Sequence, residues 1–148
     1  MTQMSTLEER LQRLEDERAI LDRLYAYGHS LDYGLRDEWV DCWTEDGVLA
    51  WPHETFVGRE AIGGAFDGHS HAPEAFHKHL LVAPRIRLEG DEATVESYFS
   101  RLNDSPDGPV VRSFGRYVDV LARSADGVWR FRERRLERES LIANAPVT

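Results

Sequence analysis

Two residues far apart in the chain are of the types that together make a general base. Asp32 lies in the segment Tyr25–Gly34, just past an amphipathic helical pattern, and His79 begins a strand pattern within Phe76–Val82. A neutral imidazole accepts a proton near neutral pH, and a buried carboxylate on its other nitrogen fixes the tautomer and balances the imidazolium charge. If the fold joins Asp32 and His79 in an apolar cavity, we expect the chain to abstract a proton from carbon.

A phenol and a set of mainly aromatic side chains complete this predicted site. Tyr27 precedes Asp32 on the helix, and its hydroxyl group could donate a hydrogen bond to a carbonyl or to a departing oxygen. On a regular helix the two residues are about 140° apart, so Tyr27 requires a distortion near Gly28, whereas Tyr25 is nearly in line with Asp32. The residues expected to line the cavity are Trp43, Trp51, Phe56, Phe66, Phe99, Arg101, Asn103, Phe114 and Arg116.

Each of these residues also has a structural interpretation. Asp32 could cap a helix end, His79 could be a hydrogen-bonded core histidine, and Tyr27 could pack in the core. His77 and His79 alternate on one strand pattern and share a face, so they could bind a metal ion, but well-placed third and fourth ligands are not evident. We therefore expect neither a metal nor a cofactor. The sequence shows no Gly-rich phosphate loop, Ser nucleophile elbow or Cys-x-x-Cys pair.

Length and charge limit the class of protein. The chain has 148 residues, which suits one domain with one core. Its net charge of −9 argues against a nucleic-acid backbone or an anionic membrane as the main partner. The single cysteine, Cys42, excludes an internal disulfide, and no membrane-span or signal-peptide pattern is evident, so we expect a cytoplasmic protein.

Charged side chains alternate in sign near the end of the chain. Arginines and glutamates interleave over residues 130–139, which is typical of a solvated strand face with ion pairs. We expect Arg116, Tyr117, Asp119 and Arg134 to serve in such sheet-face ion pairs and packing. A role for Arg116 in lining the cavity is the less favoured interpretation.

Periodicity predicts the elements that must position these residues. A capping box at residues 6–9, followed by apolar residues at helical spacing, predicts one long helix from about Thr6 to near Gly28 or a turn beyond. Short helices are predicted at 36–43 and 58–66, and a strand at 48–51 with its return at 54–57. Strands at 78–88, 93–103, 110–123 and 128–139, joined by Gly- and Asp-rich turns, indicate an antiparallel meander. Helices followed by strands indicate an α+β fold.

The order of these motifs resembles the SnoaL-like group of the nuclear-transport-factor-2-like superfamily of cone-shaped α+β barrels. The segments that carry the resemblance are Leu31–Gly34, Trp43–Val48, Gly58–Ile62, Lys78–Leu80, Gly115–Asp119 and Gly127–Phe131. It implies a long N-terminal helix and two short helices packed in a curved antiparallel or mixed sheet. The cone domain is then expected at residues 20–140, after a charged helical leader at 1–19 and before a tail at 141–148.

Within that superfamily the chain looks most like the branch of scytalone dehydratase, hexachlorocyclohexane dehydrochlorinase and bile-acid 7α-dehydratase. Members commonly place an Asp on the first helix beside a His on the following sheet, and Asp32 and His79 match those positions. Tyr27 matches a tyrosine used by the bile-acid enzyme. Two departures are evident: Phe114 stands where scytalone dehydratase carries a second histidine, and Asn103 is the candidate for the position of an Asp in the bile-acid enzyme.

The resemblance implies a cofactor-independent lyase or isomerase of the dehydratase or polyketide cyclase type. Its substrate would be a hydrophobic carbonyl, phenolic or polycyclic small molecule, and the chain would assemble as a homodimer or homotrimer. The alternative is a non-catalytic ligand-binding cone or the small subunit of a ring-hydroxylating oxygenase. An open cavity beside a joined Asp32 and His79 would favour the enzyme, whereas a structural subunit would fill the cavity with side chains.

Overall fold

The computed structural model describes residues 4–141 and contains three helices and six strands in that part of the chain. The helices are α1 (Leu7–Tyr33), α2 (Arg36–Asp41) and α3 (Gly58–Asp67). The strands are β1 (Trp43–Trp51), β2 (Glu54–Val57), β3 (His77–Glu89), β4 (Glu92–Asn103), β5 (Val110–Arg123) and β6 (Trp129–Arg138). The elements predicted from the sequence are confirmed, and the largest difference is that β1 begins at Trp43, which pairs with Phe131 of β6.

The six strands form one open mixed sheet in the order β2-β1-β6-β5-β4-β3. Strands β3 to β6 make the predicted antiparallel meander, and β1 pairs in parallel with β6. Register shifts between Val82 and Arg85 and between Val120 and Leu121 interrupt the ladders, and such bulges bend strands. Helix α1 contacts both β3 at the sheet edge and β6 three strands away, so the sheet wraps around this helix. The expected α+β cone is confirmed.

Helix α1 begins and ends at the residues that helix physics favours. The Thr6 side chain accepts a hydrogen bond from the Glu9 amide, and the Glu9 side chain accepts one from the Thr6 amide. Gly34 ends the helix in the left-handed conformation, with φ 73°, which glycine adopts without the steric penalty of a Cβ. Because α1 extends to Tyr33, Asp32 lies in its last turn rather than past its end.

The first half of α1 is docked on the sheet at one polar position. Asp16 is buried and accepts hydrogen bonds from Trp129 Nε1 at 3.2 Å and from Arg123 Nη2 at 2.8 Å. The helix is continuous across residue 19, where the boundary between leader and domain is predicted. Of the predicted tail, residues 142–148 lie outside the described part of the chain.

Two arginines of the alternating segment, Arg130 and Arg134, are buried rather than on a solvated face. Arg134 and Asp119 are both fully buried and form two hydrogen bonds of 2.8 Å each. The guanidinium also stacks on the rings of Tyr27, Tyr117 and Phe131. The expected ion pair and packing are present, but the expectation of a solvated face is wrong for Arg134, because this side of β6 faces α1.

Candidate active site

The last turn of α1 and the start of β3 bring Asp32 and His79 into contact. His79 Nδ1 lies 2.6 Å from Asp32 Oδ1, and the His79 backbone amide donates to Asp32 Oδ2 at 3.0 Å. Both side chains are nearly inaccessible, with exposed fractions of 5% for Asp32 and 9% for His79. Gly28 permits this approach, since a Cβ there would meet the His79 carbonyl oxygen at 3.2 Å. The proximity expected from the sequence is present.

His77 is a second imidazole on the same carboxylate, and sequence reasoning did not assign it this role. Its Nδ1 lies 2.7 Å from Asp32 Oδ1, and its Nε2 lies 2.6 Å from the Ser70 carbonyl oxygen. Both neighbours are hydrogen-bond acceptors, so both ring nitrogens donate and the ring carries a positive charge. The alternating spacing of His77 and His79 is the sequence signal, because alternate strand residues share a face.

The charges of this trio determine which group is basic. Burial would raise the pKa of Asp32, but the hydrogen bonds from His77 and His79 lower that pKa well below its ordinary value. Burial lowers the pKa of His79, and the opposing effect of Asp32 does not restore it. His79 is therefore neutral at pH 7, with Nδ1–H donating to Asp32. Its Nε2 carries the lone pair and has no hydrogen-bond partner among the described residues.

Asp32, His77 and His79 also have the composition of a metal site. Their potential ligand atoms lie within 4.8 Å of one another. Both Nδ1 atoms, however, are at hydrogen-bond distance from the same carboxylate oxygen, and a backbone amide holds the other oxygen. A bound zinc ion would have to lie about 2.0–2.2 Å from each ligand and replace these hydrogen bonds. The geometry therefore fits a proton-transfer network better than a metal centre.

His79 borders a cavity of about 360 Å³ at the open end of the cone. Its walls come from α1, β1, β3, β4, β5 and β6 and from the loop after α3. The lining residues are Tyr27, Leu31, Trp51, Pro52, His53, His69, His79, Phe99, Arg101, Arg112, Ser113, Leu136 and Arg138. A groove of about 380 Å³ between α1 and β3 also reaches His79. Both the groove and the cavity are bordered in part by exposed side chains. The cavity in the cone also contains Trp51, Phe99 and Arg101, three of the residues predicted to line the site, so it is the better candidate for the substrate site.

The predicted lining residues divide into two groups. Trp51, Phe99 and Arg101 line the cavity. Four others are not among the lining residues. Trp43 and Phe66 are buried in the core. Phe56 packs edge-on against Trp51 at 5.3 Å between ring centroids, and Asn103 accepts a hydrogen bond from Arg101.

Phe114 and Arg116 lie on the outer face of β5, where the expectation that they line the cavity is wrong. Phe114 is 53% exposed, and Arg116 forms an ion pair with Glu137 on the surface. The reason is strand alternation: Ser113 and Tyr117 face inward, so residues 114 and 116 face outward.

Tyr27 faces the cavity, and Tyr25 does not. Tyr27 is 2% exposed, whereas Tyr25 is 42% exposed. The expectation that α1 must distort near Gly28 is wrong, because the helix is continuous there and the surrounding sheet covers more than one of its faces. The Tyr27 hydroxyl oxygen accepts a hydrogen bond from Trp51 Nε1 at 3.4 Å. Burial raises the pKa of Tyr27, so the phenol keeps its proton.

Comparison with known proteins places the chain among domains of this architecture. The family model of the SnoaL-like domain matches residues 12–135. An NTF2-like protein with a cystatin-like fold from Novosphingobium aromaticivorans is 26% identical, with a TM-score of 0.85 over 95% of this chain and 93% of that one. A variant of Rv3472, a protein of unknown function from Mycobacterium tuberculosis, is also 26% identical, with a TM-score of 0.79 over 86% and 79%.

A candidate scytalone dehydratase from Novosphingobium aromaticivorans shares the fold at 22% identity, with a TM-score of 0.73 over 90% of this chain and 94% of that one. No curated protein matches the chain. Within residues 4–141, no helix has the length and apolar character needed to cross a membrane.

Proposed function

Because the chain belongs to the SnoaL-like family, we propose that it is a cofactor-independent lyase or isomerase of the dehydratase type. It abstracts a proton from carbon in a hydrophobic carbonyl, phenolic or polycyclic compound. The observation that carries this proposal is the 2.6 Å contact between Asp32 and His79 beside a cavity of about 360 Å³. The fold shared with a candidate scytalone dehydratase is consistent with it.

The first step is proton transfer from a substrate C–H bond to Nε2 of His79. The electron pair of that bond moves toward the adjacent carbonyl and forms an enolate, while Asp32 stabilises the new imidazolium through Nδ1–H. Tyr27 donates a hydrogen bond to the developing oxyanion or to a departing oxygen. Return of the proton at another carbon completes an isomerisation, and loss of a β-leaving group completes an elimination.

Burial is the main influence that keeps the pKa of His79 low, and His77 adds to it. The positive charge of His77 neutralises Asp32, so an imidazolium at His79 gains less stabilisation than it would beside an unshared carboxylate. Together with burial, this keeps His79 deprotonated at neutral pH, as a general base must be.

The proposal is tested by solvent deuterium exchange into hydrophobic ketones and phenols, followed by NMR. We expect the wild-type protein to catalyse exchange and H79A to lose it by roughly 10²–10⁴-fold, the usual contribution of a general base. The matched control is H29A, since His29 is exposed on α1. Full exchange by a folded H79A would refute the base, and loss of activity on adding EDTA would favour a metal at Asp32, His77 and His79.

The state of the cavity bears on the non-catalytic alternatives. The cavity is open and not filled by side chains, which disfavours a purely structural oxygenase subunit. A ligand-binding cone needs only the cavity, so tight binding of substrates without any wild-type exchange would favour that function.

An apolar patch on the outer sheet face is the proposed site of self-association. Leu80 is 40% exposed, Val82 48%, Tyr98 63% and Phe114 53%. They lie side by side, since Val82 is paired with Tyr98 and both Leu80 and Phe114 are paired with Ser100. A second copy of the chain would remove this patch from water, as the expected dimer or trimer requires.

A further inference from the structure

We infer that Arg101 binds the carboxylate of the substrate, so that the cavity selects apolar compounds that carry one carboxylate. This inference rests on the proposed function in one respect: it specifies the class of molecule that His79 would deprotonate. Carboxylate binding itself can be measured without turnover.

Arg101 is placed beside the base by the register of the sheet. Arg101 on β4 is the direct cross-strand partner of His79 on β3, and both side chains line the cavity. Directly paired antiparallel residues have Cβ atoms about 4.5–5.5 Å apart. A group bound to the guanidinium therefore lies next to the imidazole.

The hydrogen-bond partners of Arg101 are neutral. Its Nε donates to Asn103 Oδ1 at 3.0 Å, and its Nη1 lies 3.4 Å from His69 Nε2. Burial lowers the pKa of His69 to about 3, so that ring is uncharged. His69 Nδ1 lies 2.8 Å from the Ser70 carbonyl oxygen, which leaves Nε2 as the acceptor for Arg101.

Among the residues that the structure describes, Arg101 lacks the ion-pair partner that several other buried or half-buried arginines have. Within residues 4–141, no carboxylate lies at ion-pair distance from its guanidinium. By contrast, Arg130 pairs with Asp41 and Asp126, and Arg134 pairs with Asp119. Arg23 and Arg123 also pair with carboxylates, Arg23 with Asp41 and Arg123 with Asp16. Arg10, Arg85, Arg87 and Arg138 also have no such pair within the described residues, but they are exposed to water, whereas Arg101 is half-buried.

The surroundings increase the positive potential at Arg101. Burial and the nearby Arg112 lower the pKa of Arg101, and the charge of Asp32, which is not at ion-pair distance, opposes them only in part. Arg112 and Arg138 line the same cavity. A carboxylate from the substrate would supply the missing counter-charge, and the planar guanidinium matches a carboxylate with two parallel hydrogen bonds.

The remaining walls define the rest of the ligand. Tyr27, Leu31, Trp51, Phe99 and Leu136 present rings and aliphatic groups to the cavity. A volume of about 360 Å³ is at the lower end of the range for small-molecule sites. The ligand is therefore a compact aromatic or alicyclic compound with its carboxylate near the acidic C–H bond.

Two probes of equal shape test the inference by isothermal titration calorimetry at pH 7.5: 2-naphthoate and its neutral analogue 2-naphthamide. We expect the wild-type protein to prefer the carboxylate by about tenfold or more, since a hydrogen bond to a charged group contributes about 1.5–3 kcal/mol. R101Q should lose this preference while its affinity for the amide stays within about twofold, which also shows that the variant is folded. R116Q, which removes a surface arginine, should keep the preference.

Failure of this inference can be distinguished from failure of the proposed function. H79A, although it catalyses no exchange, should still prefer 2-naphthoate over 2-naphthamide, because it retains Arg101. No measurable binding of 2-naphthoate, equal affinities of the wild-type protein for both probes, or a preference that survives in R101Q would each overturn the role of Arg101.

Discussion

At the residue scale, one carboxylate oxygen serves two imidazoles in different protonation states. His77 donates from both nitrogens, because the Ser70 carbonyl lies opposite Asp32. His79 donates only from Nδ1 and keeps Nε2 free for a proton. The pair of neighbouring histidines is therefore divided into a fixed cation and a neutral base by the atoms that surround each ring.

The acid limb of the pH–rate profile should lie below the ordinary imidazole pKa of about 6.5. Activity requires neutral His79, so kcat/KM rises as the pH passes the lowered pKa of His79 and is level at neutral pH. In D32N the carboxylate that raises this pKa is removed, so the limb should move to lower pH. The plateau should fall by roughly 10²–10⁴-fold because the tautomer is no longer fixed.

Steady-state kinetics from pH 4 to 8, with circular dichroism to confirm folding at each pH, measures both effects. A limb at or above 6.5 in the wild-type protein, or an upward shift in D32N, would contradict this assignment of charges.

The sequence predicted part of this trio. Asp32 and His79 could be recognised because residue type, position and family resemblance agreed. The role of His77 could not, since it depends on a backbone carbonyl of Ser70, whose position is set by the loop after α3. Arg101 was expected in the lining, but its lack of an acidic partner is a property of the packed structure.

At the element scale, the site depends on how closely α1 approaches β3. Gly28 allows the helix to lie against the strand at His79, and the last turn of α1 then presents Asp32 to both histidines. The hydrophobic pattern predicted the helix, but its final turn continues to Tyr33 because Gly34 provides the left-handed cap. The early start of β1 was not predicted, since it depends on the pairing of Trp43 with Phe131 of β6, which is separated from the pairs at Val48 and beyond by a register shift.

The other end of α1 is held by Asp16, and its substitution should be costly. In D16N, the buried contacts with Arg123 and Trp129 weaken, so we expect the free energy of unfolding to fall by about 1–3 kcal/mol. D22N is the matched control, since Asp22 is 57% exposed and pairs with Arg18 within the helix. That variant should lose no more than about 0.5 kcal/mol.

Urea denaturation of the three proteins measures these differences. Equal stabilities of D16N and D22N would show that the first half of α1 is not docked on β5 and β6.

At the scale of the whole molecule, the sheet has two different faces. The inner face buries the Arg134–Asp119 pair and forms most of the wall of the cavity, whereas the outer face exposes Leu80, Val82, Tyr98 and Phe114. Alternation along the strands predicted that each strand has two faces. It did not predict which face of β5 and β6 lies against α1, and this explains the errors at Phe114, Arg116 and Arg134.

The outer patch predicts self-association. Light scattering should give two or three times the chain mass of 17.0 kDa, and Y98E should reduce it to that of one chain, because a carboxylate would be buried without a partner. E92Q, a charge change on the same sheet away from the patch, should leave the mass unchanged. A wild-type mass of 17.0 kDa would contradict the expected dimer or trimer.

The most direct test of the account is the tautomer of His79, observed by long-range ¹H–¹⁵N correlation NMR of the imidazole nitrogens at pH 7. The structure predicts a neutral His79 ring protonated at Nδ1, with Nε2 bare, beside a His77 ring protonated at both nitrogens. In D32N the preference of His79 for the Nδ1–H form should weaken. A His79 ring protonated at Nε2 in the wild-type protein would leave no basic nitrogen facing the cavity and would contradict the proposed catalysis.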